Sequence, residues 1–461
     1  MAYGMFTTVI KRLMLLGIDR AIAYTLVGRV WQIITGVLTL LFLVKFLSPA
    51  EIGFYYTFGS ILAFQSIFDF GFSYVILQFA AHEKAKLSWH GQYILDGDPI
   101  AKSRLAAIMR LGISFYGIIS LIAPIIIIPV GLYFFCSHTA LDTSVSWRVP
   151  WIWLALSTSA NFAMIPLFCI LEGTGRVAEV SLIRLSQGIL SSLSLWLSLV
   201  FKFDLFSQPI ASTTTVVCGV LWMGLLQKQL FLDLWRNKIP EGIIKWKEEM
   251  WPFQRRNAVT NLCGYFFANL INPLIFSFSG PVAAGKLGMT NSIVNAIGNM
   301  GVAWVSTKSA PFGTLVAQRA YRDLDNMFFR ALWQSLSLII LGSAFILIVL
   351  YFLQGVQHPF ASRVLSPTLC AVLLSSMILT HVVVSEAIYL RSHKREPFMW
   401  LTLIGTPIMA TSQYFSAKYW GVSGVVITYL LTYFLVSFIP ATTLFLRKRR
   451  LWHNVEKTPE K

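Results

Sequence analysis

Stretches of about two dozen mostly apolar residues recur along this chain, and they restrict it to one kind of fold. A run of about 20 apolar residues crosses the hydrocarbon core of a bilayer as a helix. Inside that core a helix satisfies every backbone polar group within its own segment. Twelve such runs can be read, at roughly 24–48, 52–79, 105–135, 150–172, 178–201, 209–232, 254–278, 283–308, 329–353, 365–390, 398–416 and 421–446. The third contains Pro124 and Pro129, so a kink or tilt is expected there. The composition agrees, with 56% hydrophobic and 12% charged residues. No soluble globular domain has that balance.

The net charge of +17 resembles a nucleic-acid signature until its placement is considered. Odd-to-even connections between spans hold little more than Arg148, Lys202, Arg363 and Lys418. Even-to-odd connections and the two ends collect the rest. Among them are Lys11, Arg12, Lys84, Lys86, Lys102, Arg104, Arg236, Lys238, Lys245, Arg319, Arg322, Arg391, Lys394 and the run from Arg447 to Arg450. This is the positive-inside distribution over short loops, and it places both termini in the cytoplasm. The charge reports orientation and attraction to anionic membrane lipids, not nucleic acid. Residues 5–22 read as an amphipathic helix on the cytoplasmic interface. The five cysteines are scattered without a CxxC spacing, so no metal, redox or other cofactor motif is present.

No connection is long enough for a soluble catalytic domain; the longest are 80–104 and 233–253. That argues against an enzyme and weakens a glycan polymerase, which needs a sizeable external loop. Asp96-Gly97-Asp98 has the DxD pattern of metal-bound sugar nucleotides, but without a surrounding domain it reads as an Asp-Gly turn. Gly173-Thr-Gly175 reads as a tight turn between spans.

The two halves echo each other. Pro49-Ala-Glu-Ile-Gly53 through Ser60-Ile61 overlays Pro281-Val-Ala-Ala-Gly285 through Ser292-Ile293 at a constant offset. Topologically equivalent matches of this kind support two six-helix bundles around a central cavity, with the substrate at their interface. The expected division is an interfacial helix and first bundle over 1–232, a cytoplasmic linker over 233–253, a second bundle over 254–446 and a basic tail over 447–461.

Polar residues at helical spacing mark the faces that avoid lipid. Thr25, Arg29, Gln32, Gly36 and Thr39 form one stripe on the first span. Asn257, Asn261, Tyr265, Asn269 and Asn272 form another on the seventh, and Asn291, Asn295 and Asn299 lie on the eighth. Such stripes serve a wet cavity offering hydrogen bonds to sugar hydroxyls, or interhelical bonding between packed helices. The deep charges are mostly cationic: Arg29, Arg110, Arg184 and Lys286, with Arg255 and Arg256 opening the seventh span. A cation in hydrocarbon persists only against a cavity, a partner or a ligand, or by snorkelling. The guanidinium fork matches phosphate oxygens, so Arg29, Arg255 and Arg256, beside the stripes, are the favoured anion ligands. Asp69 is the one acid well inside a span; it neutralises Arg29, carries a coupling proton, or does both. Glu386 is expected to snorkel, and His381 to be a satisfied interior histidine.

Three stretches carry a resemblance: Gly28-Arg29-Val-Trp-Gln32; Phe46-Leu-Ser-Pro-Ala-Glu-Ile-Gly-Phe-Tyr55; and Ile67-Phe-Asp69-Phe-Gly71. In the second half, Trp251-Pro-Phe-Gln254 with Arg255 and Arg256, Gly264-Tyr265, Gly280 and Ala284-Gly285 agree. Together they resemble the oligosaccharide flippases of the multidrug/oligosaccharidyl-lipid/polysaccharide exporter superfamily. The resemblance implies two bundles around a cationic cavity that alternates between the faces of a bacterial cytoplasmic membrane. It implies as cargo an oligosaccharide on undecaprenyl pyrophosphate, such as an O-antigen repeat unit, with polysaccharide polymerase and chain-length proteins as partners. A multidrug antiporter of the same superfamily is the first rival, although it would place acids on the cavity face. A major-facilitator transporter is disfavoured because 80–104 lacks that family's Gly-x-x-x-Asp-Arg type signature.

Overall fold

The backbone has no water to bond in a bilayer, so these apolar runs close their hydrogen bonds as helices. The computed structural model describes residues 20–91, 94–138, 145–237, 246–251, 254, 258, 262–266, 269–393 and 397–454. Nine helices among them are long and apolar enough to cross a membrane, or ten when the bent pair Pro49–Phe68 and Phe72–Lys84 counts as one span. Two of the nine run over 50 residues, far more than one crossing needs. Each doubles back at a glycine in left-handed backbone: Gly280 (φ 84°) and Gly421 (φ 60°). Across Gly421, Ser416 and Thr428 share a hydrogen bond at 2.5 Å and Thr432 donates to Ser412 at 3.4 Å. Counting each hairpin as two passes gives the twelve that hydropathy predicts. The chain is a multi-pass, all-α membrane protein.

Two compact units are present. The first comprises the chain to Leu47 and Ile61–Leu262, the second Ser48–Ser60 and Cys263–Lys461. Ser48–Ser60 thus packs with the second unit, where the sequence division had put it in the first bundle.

Chain order begins with α1 (Arg20–Phe46), α2 (Pro49–Leu62), the short α3 (Gln65–Phe68) and α4 (Phe72–Lys84). Then come strands β1 (Leu87–His90) and β2 (Ile94–Gly97), α5 (Pro99–His138), α6 (Arg148–Phe162), α7 (Ile165–Gly173) and α8 (Val177–Val200). The first unit ends with α9 (Ser207–Leu226), α10 (Lys228–Arg236) and α11 (Trp246–Glu249). Helix α5 stays one helix of 40 residues through Pro124 and Pro129.

The connection 80–104 holds an antiparallel hairpin, with Leu87 opposite Gly97 and Trp89 opposite Leu95. Asp96-Gly97-Asp98 is therefore not a free turn. Its first two residues end β2, and the Asp98 carboxylate caps α5 by accepting from Ile100 N at 2.9 Å. Leu87 and Leu95 bury themselves in the core of Phe72, Ile76, Leu105, Met109, Tyr116 and Ile183. Trp89 donates to Thr174 O at 3.0 Å, in the Gly173–Gly175 turn, and Arg176 stacks over the same indole at 4.0 Å.

The second unit contains α12 (Ile271–Ser306, turning at Gly280), α13 (Ser309–Ala317), α14 (Tyr321–Gly355), α15 (Pro359–Arg363) and α16 (Pro367–Ser392). It continues with α17 (Met399–Thr432, turning at Gly421), a π-helical turn at Tyr433–Phe438 and α18 (Ile439–Asn454). A second core of Phe312, Phe328, Tyr389 and Phe445 encloses one polar knot. There Asp325 accepts from Tyr389 Oη at 2.8 Å and from Arg449 Nε and Nη2 at 2.9 and 2.6 Å.

The sequence repeat has a physical meaning here, because its two copies pack on each other. A Cβ on Gly53 would lie 1.9 Å from Pro281 O, and one on Gly285 would lie 3.1 Å from Pro49 O. Each copy's glycine therefore seats the other copy's proline carbonyl. The equivalent serines make equivalent bonds, Ser60 to Tyr56 O and Ser292 to Gly288 O, both at 3.0 Å.

Candidate functional site

Helix α1 lies against α8, and the polar stripe of α1 decides how closely they meet. At one end the contact is packed: Trp196 Nε1 donates to Thr39 Oγ1 at 3.0 Å, and its ring stacks on Phe42. At the other end Thr25 and Ser181 share a hydrogen bond at 3.2 Å. Between these contacts the helices enclose a cavity of about 310 Å³. Tyr24, Thr25, Gly28, Arg29, Trp31 and Gln32 line it from α1, and Ser181, Arg184, Leu185 and Gly188 from α8. Glycine makes the room, since a Cβ at Gly28 would touch nothing within 4 Å and one at Gly188 only the Trp31 ring.

The lining is rich in donors. Arg29 is exposed and makes no ion pair among the described residues. Arg184 reaches the same cavity while pairing with Glu172 of α7 at 3.0 Å. The Trp31 indole nitrogen is buried without a hydrogen-bond partner among the described residues. A buried donor of that kind requires an explanation, and a ligand supplying acceptor oxygens is one. Two guanidiniums against one carboxylate leave the site net cationic. Phosphate oxygens and sugar hydroxyls are the chemistry it can hold.

Arg29 and Gln32 thus come together, joined by Arg184, Ser181 and Trp31, which the sequence reading did not select. The signal was available: Ser181, Arg184 and Gly188 are spaced three and four apart on α8, the same stripe as on α1. Arg255, Arg256, Asn257 and Asn261 lie outside the described residues. Asn269 and Asn291 are half-buried and Asn295 is exposed, all in the second unit. Two other members of the seventh-span stripe serve packing. Tyr265 Oη donates to Ser60 O at 3.3 Å. The Asn272 amide, oriented to satisfy both its ends, donates to Ala284 O at 3.0 Å and accepts from Thr57 N at 3.2 Å.

Asp69 ends α3 and caps α4, accepting from Ser73 Oγ at 2.9 Å and from the Tyr116 hydroxyl. Among the described residues no ion pair joins it to Arg29. It sits at a break where Phe70 (φ 46°) and Gly71 (φ 68°) adopt left-handed backbone, so the cap holds a strained turn. Arg110 closes the carboxyl end of α10, donating to Trp235 O and, at 2.7 Å, to Asn237 O. Glu386 does not snorkel: it is 3% exposed and accepts from Thr442 at 3.3 Å. His381 is buried and bonds Ser335 at 2.8 Å.

The fold is similar to that of solved membrane transporters. Over 94% of this chain and 96% of the other, it aligns with a multidrug resistance MATE family transporter of the MOP superfamily in an inward-facing conformation, with a TM-score of 0.65 and 15% identity. The chain has the MATE transporter fold. An outward-facing conformation of a MATE family transporter aligns over 95% and 96% of the two chains, with a TM-score of 0.60 and 15% identity. A MOP superfamily transporter from Pyrococcus furiosus, described as having a binding pocket of reversed polarity, aligns over 95% and 96%, with a TM-score of 0.53 and 14% identity. These neighbours are transporters, not enzymes. No family sequence model matches the chain, nor does any curated protein sequence. At these identities the likeness carries the MATE fold and not a substrate.

Proposed function

We propose that this chain is a secondary-type transporter that flips a polyprenyl-pyrophosphate-linked oligosaccharide across the bacterial cytoplasmic membrane for surface polysaccharide assembly. One observation carries the proposal: Arg29, Gln32 and Arg184 line one cavity between two helices that a cation carrier would line with acids. Two guanidinium forks are suited to a pyrophosphate, and the amide and hydroxyls around them to sugar. The superfamily's fold supports alternating access. The placement of Lys and Arg supports cytoplasmic termini, so the lipid-linked glycan is collected from the cytoplasmic leaflet. In this reading Arg255, Arg256 and the asparagines of the seventh and eighth spans also contact the cargo, and Asp69 carries a coupling proton. The partners are polysaccharide polymerase and chain-length proteins that consume the flipped unit.

A multidrug antiporter is the second reading, favoured by neighbours that are multidrug transporters. The two readings diverge in one experiment. Surface glycan is measured in cells that depend on this chain, alongside tolerance to cationic dyes. Arg29→Ala and Arg184→Ala each reduce export at least ten-fold at unchanged protein level, and Arg29→Lys restores it partly, because a point charge replaces a fork. Normal export in the Arg29→Ala, Arg184→Ala double variant overturns the glycan reading. Dye tolerance that depends on the chain and survives both substitutions establishes the antiporter.

A further inference from the structure

A second cavity of the first unit, about 410 Å³, lies between α5, α7, α9 and α10. That is ample room for a small-molecule ligand. Met109, Ile113, Met164, Val220 and Met223 form much of its apolar wall, and Lys228 is its one charged lining residue. A Cβ on Gly224, which also lines it, would meet nothing within 4 Å, so the space is real at the backbone.

Its surroundings identify the solvent it faces. Val220, Leu221 and Leu225 of α9 are more than half exposed, as lipid-facing residues of a span are. Helix α9 ends at Leu226, and α10 begins directly with Lys228. Helix α10 is sharply two-faced, with Leu230 and Leu234 fully buried and Lys228 and Arg236 exposed. A short amphipathic helix at the end of a span lies in the membrane interface. The rim is fixed from both sides: Lys102 pairs with Asp233 at 3.0 Å, and Arg110 stacks over Trp235 while closing the helix end. The cavity therefore runs from hydrocarbon depth to headgroup depth, with an ammonium at the headgroup end. Three methionines give it a wall that adapts to an irregular flexible chain.

We infer that this cavity binds one acyl chain of an anionic membrane phospholipid, with the lipid phosphate against Lys228. Lys228 has no ion-pair partner among the described residues, so it is available to that phosphate. The site is separate from the Arg29 cavity and does not depend on what the protein transports.

The test is native mass spectrometry of the full-length protein, titrated with phosphatidylglycerol or with phosphatidylcholine of the same acyl chains. The wild type holds one phosphatidylglycerol above the random adducts and prefers it about five-fold, the effect of one basic residue at a lipid surface. Lys228→Gln removes that preference but still holds a lipid. Gly224→Phe fills the open space and lowers retention of either lipid at least ten-fold, with Gly224→Leu as a smaller plug should the larger one misfold. Gel filtration establishes that each variant is monodisperse. A monodisperse plugged variant that retains lipid like the wild type overturns the site. Equal retention of the two lipids by the wild type, or a preference that survives Lys228→Gln, overturns the headgroup contact.

Discussion

The reciprocal glycine contact between the two repeat copies makes a graded prediction. Alanine at position 53 brings a methyl to 1.9 Å from Pro281 O, 2.5 Å from its carbonyl carbon and 2.8 Å from its Cα, where ordinary contact begins at 3.4 Å. All three neighbours are backbone, so no side chain can swing aside. Helix α2 must retreat from the α12 hairpin by well over an ångström. That loosens the edge-to-face pair of Phe54 and Phe276 (centroids 5.0 Å apart) and the Thr57–Asn272 contact. Overpacking costs about 1–3 kcal/mol, and the aromatic pair adds about 0.5–1.5 kcal/mol. Alanine returns only about 0.5–1 kcal/mol through lower chain entropy. The net is a loss of about 0.5–4 kcal/mol. Gly285→Ala is milder, since its methyl would stand 2.9 Å from Gly53 N and 3.1 Å from Pro49 O. Gly59→Ala, on the same helix with nothing within 4 Å, is the control and should be neutral or stabilising. The assay is the fraction of detergent-purified protein that remains monodisperse after heating. Survival should rank Gly59→Ala at or above wild type, then Gly285→Ala, then Gly53→Ala. A Gly53→Ala protein that survives as well as Gly59→Ala would refute the close approach.

Three other outcomes follow from contacts described above. Asp69→Asn keeps one acceptor for Ser73 and Tyr116, so it should cost about 1–2 kcal/mol, not the about 3–5 kcal/mol of breaking a buried ion pair. It should reach near-normal levels in the membrane yet transport without regard to the proton gradient; unchanged gradient dependence would reduce Asp69 to a helix cap. Tyr389→Phe removes a hydrogen bond to a carboxylate and should lower heat resistance by about 1.5–3 kcal/mol, and Arg449→Ala more, because it strips Asp325 of its counter-charge. Heat resistance of Arg449→Ala equal to the wild type would mean that the knot contributes nothing. Cysteines introduced at Lys86 and Arg236 on a cysteine-free background should react with impermeant reagents only from the cytoplasmic side. External labelling of either would reverse the topology.

Much of this fold was legible because a bilayer leaves few choices. Apolar length located the spans, including both limbs of the hairpins at Gly280 and Gly421. Hydropathy could not reveal that Pro49–Ser60 packs with the second unit, because its apolar residues suit either one. The repeat was visible as matched prolines and glycines, but its reciprocal packing was not, since spacing says nothing about which surface meets which. The 87–97 hairpin was missed for an opposite reason: Asp-Gly is the strongest short-range turn signal, and here it ends a strand instead of joining two.

The cations show where sequence reasoning stops and geometry must take over. Arg29, Arg110 and Arg184 are the same residue at similar depths in their spans, and charge and hydropathy treat them alike. Arg110 points to the last carbonyls of α10, a position fixed only by where that helix ends. Arg184 shares a cavity with Arg29, and Gly28 and Gly188 leave out the side chains that would otherwise occupy the space between α1 and α8. The informative pattern is therefore an arginine and a glycine within one turn on each of two facing helices. Arginine supplies the charge, and the missing Cβ atoms supply the space in which an anion can reach it. Glu172 pairs with Arg184, while Arg29 makes no ion pair among the described residues. On the proposed function, an arriving phosphate would therefore meet Arg29 first and Arg184 second, after displacing Glu172. Glu172→Gln, which frees Arg184 and makes the site more cationic by one charge, should tighten binding of an anionic cargo while leaving the requirement for Arg29 intact.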